Sequence, residues 1–296
     1  MVLPWVWLAV ASAQPVTERV RAAHDDAPRP WSRFDLGADL VVWYGAESRG
    51  ELDGCGCGAR PLGELSRLAG YFERTERLDR VPTLRLDAGH WAAPDAGADV
   101  SGALVELLGF DALNLTSETL GYVTGAPSAW ERELPTVSAN IEGADQARWR
   151  MIEVGGWLIG VTGVTGESMD GEVHTSDPLL ALMDVLPEMR LEADFIVVLA
   201  ADVGALGPQL AALPEVDVLI EAGGYESRLD PVDVDGSVWI RPEAGWRHLG
   251  ELHVFGVRQP SWSVLDRRVE IDADLPRGRG VQRLLRAWSA RRIEED

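Results

Sequence analysis

Apolar residues along this chain fall into short runs of β-branched and leucine residues separated by segments with helical spacing. Asp39–Tyr44, Pro82–Leu86, Ala112–Leu115, Thr136–Ile141, Phe195–Ala200 and Val216–Ile220 read as strands. Phe195–Ala200 is apolar throughout, and Val216–Ile220, with four of five residues apolar, fits a strand covered on both faces. Leu65, Leu68, Ala69 and Phe72 recur at i, i+3, i+4 and i+7, which predicts an amphipathic helix over Gly63–Phe72. Further helices are expected over Val100–Leu108, Leu179–Leu186 (stopping at Pro187), Gly204–Leu213 and Val281–Ile293. Trp149–Val154 and Trp157–Val164 flank Gly155-Gly156, the pattern of a two-residue hairpin. Val238–Ile240, Arg247–Phe255 and Trp262–Ile271 read as antiparallel strands. Strands alternating with helices and finishing in hairpins predict a single α/β domain over residues 39–296, layered and with mixed sheets.

The loops at the carboxyl ends of these strands are where open α/β folds place their chemistry. Val216–Ile220 leads toward Gly223-Gly224-Tyr225, a sharp turn with little functional chemistry of its own. Asp39–Tyr44 leads into Gly45-Ala46-Glu47-Ser48-Arg49-Gly50, Pro82–Leu86 into Asp87-Ala88-Gly89-His90, and Ala112–Leu115 into a loop, Thr116-Ser117-Glu118-Thr119.

Charge narrows the partners. The 296 residues carry 27 basic and 48 acidic side chains, a formal charge of −21. Such a surface repels phosphate backbones, so nucleic acid is not an expected partner. All the basic side chains are arginine, the better bidentate partner for carboxylates. The start of the chain resembles an export signal: the apolar run Leu3–Val10 precedes Ala11-Ser12-Ala13, an A-x-A-like cleavage site, although no basic residue stands before it. The reading is a signal peptide over 1–13, a flexible lead-in over 14–38 and a periplasmic or secreted mature protein with no transmembrane span, the alternative being a buried N-terminal element. Cys55 and Cys57, between glycines, could form a small-ring disulfide or bind a soft metal. Twelve tryptophans against five phenylalanines suggest either a tryptophan-rich core or an interaction surface.

Six stretches in order resemble a known family. Gly50-Glu51-Leu52 followed by Gly63-Glu64-Leu65-Ser66-Arg67 is similar to H-G-x-L and G-G-L-A-R segments, and Leu86-Asp87-Ala88-Gly89 to L-D-A-G-D. Phe110-Asp111-Ala112-Leu113-Asn114-Leu115 resembles the lead-in to G-N-H-E, and Leu134-Pro135-Thr136-Val137-Ser138-Ala139-Asn140-Ile141 the segment P-x-L-S-A-N-I. Gly160-Val161-Thr162-Gly163-Val164-Thr165 resembles I-G-V-I-G-L-T, and Val216-Asp217-Val218-Leu219-Ile220 the strand before G-H-T-H. Over roughly residues 39–255 the chain thus resembles the catalytic domain of bacterial 5'-nucleotidases, within the calcineurin-like metallophosphoesterases. Cys55-Gly56-Cys57 falls where some exported members carry the same triplet.

The resemblance implies a four-layer sandwich, two mixed β-sheets flanked by helices, with two divalent cations where the loops converge. Such cations activate a bridging water and neutralise phosphoryl charge. Carried over residue by residue, the ligand positions fall on Glu47 and Arg49, His90, Ser117 and Glu118, Ala201, and Gly223 and Tyr225. Only Glu47 and His90, with the carboxylate of Glu118 as a third candidate, have suitable donors. A guanidinium at Arg49 disfavours a neighbouring cation and pairs well with Glu47 or Glu118. The expectation is that a salt-bridge cluster of Glu47, Arg49, His90 and Glu118 stands in place of the metals.

That expectation makes the chain a phosphoesterase-like pseudoenzyme without a cofactor, binding a protein or a small anionic ligand. The alternative is a phosphoesterase with an altered or mono-metal site. His248 and His253 read as structural, His174 as part of a solvated loop. Ser48, Ser117 and Ser138 lack a histidine-plus-acid set, which argues against a serine hydrolase.

Overall fold

The computed structural model describes residues 20–22, 37–49, 51–52, 54, 62–78, 81–92, 98–124, 133–143, 146–166, 173–223, 229–259 and 261–295. The proposed signal peptide, Cys55, Cys57 and Tyr225 lie outside the described residues.

Two sheets face each other. The first has seven strands: β1 (Val20–Ala22), β2 (Leu40–Gly45), β3 (Thr83–Asp87), β4 (Ala112–Asn114), β5 (Thr136–Val137), β12 (His248–Phe255) and β13 (Ser263–Glu270), in the order β1-β13-β12-β2-β3-β4-β5. The second has six: β6 (Trp149–Val154), β7 (Trp157–Thr165), β8 (Phe195–Ala201), β9 (Val218–Ala222), β10 (Leu229–Val234) and β11 (Ser237–Arg241), in the order β10-β11-β9-β8-β7-β6. Strands β2 to β5 run parallel, as do β7, β8, β9 and β11, while β12 runs antiparallel to both its neighbours.

Alternation along the strands builds the layers. Leu40, Val42 and Tyr44 of β2 point inward to meet Val197 and Leu199 of β8 and Val218 and Ile220 of β9 between the sheets. Val41 and Trp43 point outward and pack under α1 (Leu65–Leu78), α2 (Ala98–Leu108) and α6 (Arg279–Glu295). Ile196, Val198 and Leu219 cover the second sheet's outer face with α4 (Pro178–Arg190) and the short α5 (Gly207–Ala211). The result is the four-layer α/β sandwich with two mixed sheets. Asn114 ties the layers together, its Nδ2 donating to Ala88 O in the first sheet's loop and to Val164 O in β7. A Cβ at Gly163 would lie 2.3 Å from Asn114 Oδ1, so this approach requires glycine.

Several elements depart from the sequence reading. Thr116–Thr119 is not a loop: it opens α3 (Ser117–Thr124), with Thr116 Oγ1 accepting from Thr119 N as an N-cap. Helix α4 runs through Pro187 to Arg190. The missing N–H deprives only the Met183 carbonyl of its helical partner, and Met183 is exposed, so water can replace it. Strand β11 is parallel to β9, not antiparallel, because the chain first forms β10 at the sheet edge and returns between the two. Pro231 within β10 is tolerated at that edge. Val20–Ala22, inside the expected lead-in 14–38, pairs in parallel with Val264–Asp266. The Gly155-Gly156 turn has φ of 61° and 83°, the double left-handed geometry expected of it.

Of the tryptophans among the described residues, Trp43, Trp91, Trp246 and Trp262 are buried, and Trp149, Trp157, Trp239 and Trp288 half-buried. Trp43 stacks on Phe72 at 4.8 Å between ring centroids and Trp262 meets Phe195 edge-on at 5.2 Å. These side chains build the layers rather than an interaction surface. No helix among the described residues is long and apolar enough to cross a membrane.

Candidate functional site

The loops beyond β2, β3 and β8 and the start of α3 converge at one end of the sandwich. Beyond the sheet, the first two continue to pair: Glu47 N donates to Gly89 O at 2.9 Å and Arg49 N to His90 O at 2.8 Å. This places Glu47, Arg49 and His90 side by side. Thr116, capping α3, sets Glu118 in the first helical turn, where the helix dipole favours a carboxylate.

Arg49 joins two acids. Its Nε donates to Glu47 Oε2 at 2.8 Å, and its Nη1 lies 3.2 Å from both oxygens of Glu118. Glu118 also accepts from Tyr122 Oη at 3.0 Å. His90, 2% exposed, lies between two carboxylates. Its Nδ1 is 2.7 Å from Glu118 Oε2 and its Nε2 is 3.0 Å from Asp202 Oδ2. With the imidazole protonated, both contacts are ion pairs. The four expected residues therefore meet, with Asp202 as a fifth member.

Asp202 immediately follows Ala201, the position expected to be empty of chemistry. The usable signal was an aspartate at a strand's carboxyl end just before Val203-Gly204, where a short polar side chain tolerates a left-handed backbone. Asp202 has φ 56°, Glu47 62°, Arg49 41° and His90 59°. Four of the cluster's five residues thus adopt a conformation that costs a side-chain-bearing residue about 1–2 kcal/mol. The loops hold these side chains at the expense of local backbone strain.

The remaining candidates do not join them. Ala201 is buried in the inter-sheet core. A Cβ at Gly223 would fall 2.1 Å from Arg241 Cδ, so the stem of that arginine occupies the space a side chain at Gly223 would need. Ser117 begins α3, and Ser48 donates through Oγ to Trp91 O at 2.9 Å. His248 is held 2.8 Å from Glu243 Oε2, His253 lies 3.7 Å from Glu251 Oε2, and His174 is exposed.

Beneath the cluster, Asp87 is completely buried. Its oxygens accept from Gly89 N at 2.8 Å and Trp246 Nε1 at 3.0 Å. Burial nevertheless dominates and pushes its pKa up to about 7. Burial pulls His90 down, but Asp202 and Glu47 outweigh it and leave the imidazole above its ordinary value. His90 in turn holds Asp202 below the usual carboxylate range.

A pair of divalent cations does not fit this arrangement. Arg49 places a permanent charge between Glu47 and Glu118, both His90 nitrogens face acids, and Ala201 and Gly223 supply no donor. Among the described residues, no three His, Cys, Asp or Glu side chains are disposed to hold a metal ion. Three carboxylates face one guanidinium and, when protonated, one imidazolium, so the cluster carries a formal charge of about −1.

No family model matches the sequence. No curated protein matches it either. Solved structures do. A 5'-nucleotidase precursor from Thermus thermophilus superposes with a TM-score of 0.73 at 17% identity, covering 86% of this chain and 59% of its own. A sulfate thiohydrolase, SoxB, from the same organism gives 0.69 at 15%, with 87% and 61% covered. The calcineurin-like phosphoesterase YfkN from Bacillus subtilis gives 0.65 at 16%, with 87% and 98% covered. The chain spans about three fifths of the length of the first two. The fold is that of the calcineurin-like metallophosphoesterases.

Proposed function

We propose that this chain uses the metallophosphoesterase fold as a non-hydrolytic binding module, with the di-metal centre replaced by an ion-pair cluster. The observation that carries the reading is Arg49, clasped by Glu47 and Glu118 where a cation-binding loop would otherwise work. A guanidinium cannot activate water as a Lewis acid, and it repels a divalent ion placed beside it. His90, bridged from Glu118 to Asp202, then links α3 to the loop after β8. The module acts by binding rather than turnover.

Purified protein incubated with manganese, zinc or cobalt and assayed on an aryl phosphomonoester and phosphodiester tests this. The expected result is no metal-dependent turnover and no stoichiometric metal by elemental analysis. Turnover that requires metal and disappears in His90→Ala would overturn the reading and restore a phosphoesterase with an altered site.

A further inference from the structure

We propose that the outer helical layer carries an anion-binding groove that accepts a small phosphate-bearing ligand. The groove lies between α1 and the segment leading into α6, on the far face of the first sheet from the inter-sheet core. Its volume is about 690 Å³, within the range of small-molecule sites. Arg74 and Arg77 line it from α1, Arg277 and Arg279 from the other side, and Glu73 is the one acidic lining residue among the described residues. Arg77 pairs with Glu73 and Arg277 with Glu64, so among the described residues four guanidiniums meet two carboxylates here, in a chain with a formal charge of −21.

The groove is built on a fixed frame. A Cβ at Gly70 would fall 1.9 Å from Pro276 O, and one at Gly278 2.5 Å from Ala69 Cβ, so two glycines let the segment lie directly on α1. Glu64 locks the arrangement. It accepts from Arg277 Nε at 2.6 Å and Nη2 at 3.0 Å, and from Arg67 Nε at 2.8 Å. Arg67 Nη1 in turn donates to Ala273 O and Leu275 O, each at 2.7 Å. Arg277 is thereby oriented before any ligand arrives. Arg279 opens α6, where the helix dipole adds to the positive field. Arg283 and Arg286 follow it at i+4 and i+7, exposed on the same stripe.

Scale selects the ligand. Long-range repulsion by an acidic protein acts on polymers and bilayers, but a small anion samples a potential screened within about 8 Å in physiological salt. Planar, bidentate arginine suits phosphate oxygens, and two walls of arginine suit a ligand with at least two anionic groups. The groove shares no residue with the ion-pair cluster and does not depend on whether that cluster hydrolyses anything.

Titration calorimetry of the full chain with pyrophosphate and with inorganic phosphate, in metal-free buffer at two salt concentrations, tests the proposal. Saturable pyrophosphate binding that weakens with salt is expected. Arg74→Glu and Arg279→Glu should each weaken it by at least about tenfold, the loss of one charge-assisted contact. Arg148→Glu, a charge-matched change on the opposite sheet, should leave it intact, and unchanged melting would show that the variants fold. Absence of pyrophosphate binding overturns the proposal. So does equal weakening by Arg148→Glu, or binding to phosphatidylglycerol vesicles without binding to pyrophosphate.

Discussion

Glu251 and Glu47 are both buried carboxylates, 3% and 5% exposed, yet the chain treats them differently. Glu251 sits in the middle of β12 on unstrained backbone. It accepts from Trp43 Nε1 at 3.1 Å and from Tyr71 Oη, with Arg267 Nη1 at 3.4 Å. Burial pushes its pKa up, but His253, Arg267 and Tyr71 together hold it below the ordinary value. Its partners come from regular elements that the hydrophobic pattern already sets. Glu47 pairs locally with Arg49, but Arg49 reaches Glu118, and His90 reaches Glu118 and Asp202, only because three loops and a helix start converge, and four of the five residues there have positive φ. A buried charge serving the fold is met by ordinary strands and helices. A cluster on strained loops at strand ends is a site, whatever chemistry it now performs.

The largest expected effect is at the structural acid. Glu251→Ala leaves Arg267, Tyr71 and Trp43 without their common acceptor and should cost roughly 3–5 kcal/mol in urea unfolding. A cost well under about 1 kcal/mol would erase the contrast between the two clusters.

A pH titration of stability comes next. The folded value of Asp87, about 7, lies above its unfolded value of 3.8, so the folded chain keeps a proton that the unfolded chain has released. Stability therefore falls as pH rises between these values, by about 1.4 kcal/mol per pH unit from this group. His90 is also raised, and its contribution is present below its unfolded value of 6.5 and lost as pH rises through the folded one. Asp202 is lowered, so its contribution is lost as pH falls through its folded value, below 3.8. Melting should be higher at pH 5 than at pH 8, and Asp87→Asn should flatten the decline. A melting temperature rising steadily to pH 8 would refute the burial account of Asp87.

The smallest expected effect is at the edge of the cluster. Asp202→Gly removes an ion pair whose acid is about half exposed and relieves a left-handed residue, so the two terms nearly cancel, to within about 1 kcal/mol. Its readout is the imidazole: NMR should show the pKa of His90 falling. An unmoved value would mean that Asp202 does not hold the ring.

Much of this was legible from residue order. Runs such as Phe195–Ala200 and the Leu65-Leu68-Ala69-Phe72 spacing mark their elements, because burial on both faces or on one stripe leaves a local pattern. The meeting of Arg49 with Glu47 and Glu118 was readable only through the resemblance, which set these residues at the ligand positions of a metal site. The start of α3 was missed although Thr116 and Glu118 form a capping signal, and Asp202 was missed because Ala201 drew the reading to the residue before it.

The sequence by itself determined the layers, the strand and helix types and the absence of histidines at Ala201 and Gly223, because periodicity and residue identity are local properties. Tertiary structure alone decided that β11 inserts parallel beside β9, that Asp202 completes the cluster, and that Arg74 and Arg279, some two hundred residues apart, face one groove. Those outcomes depend on which loops and helices come to lie together, and no spacing along the chain encodes a distance across the fold.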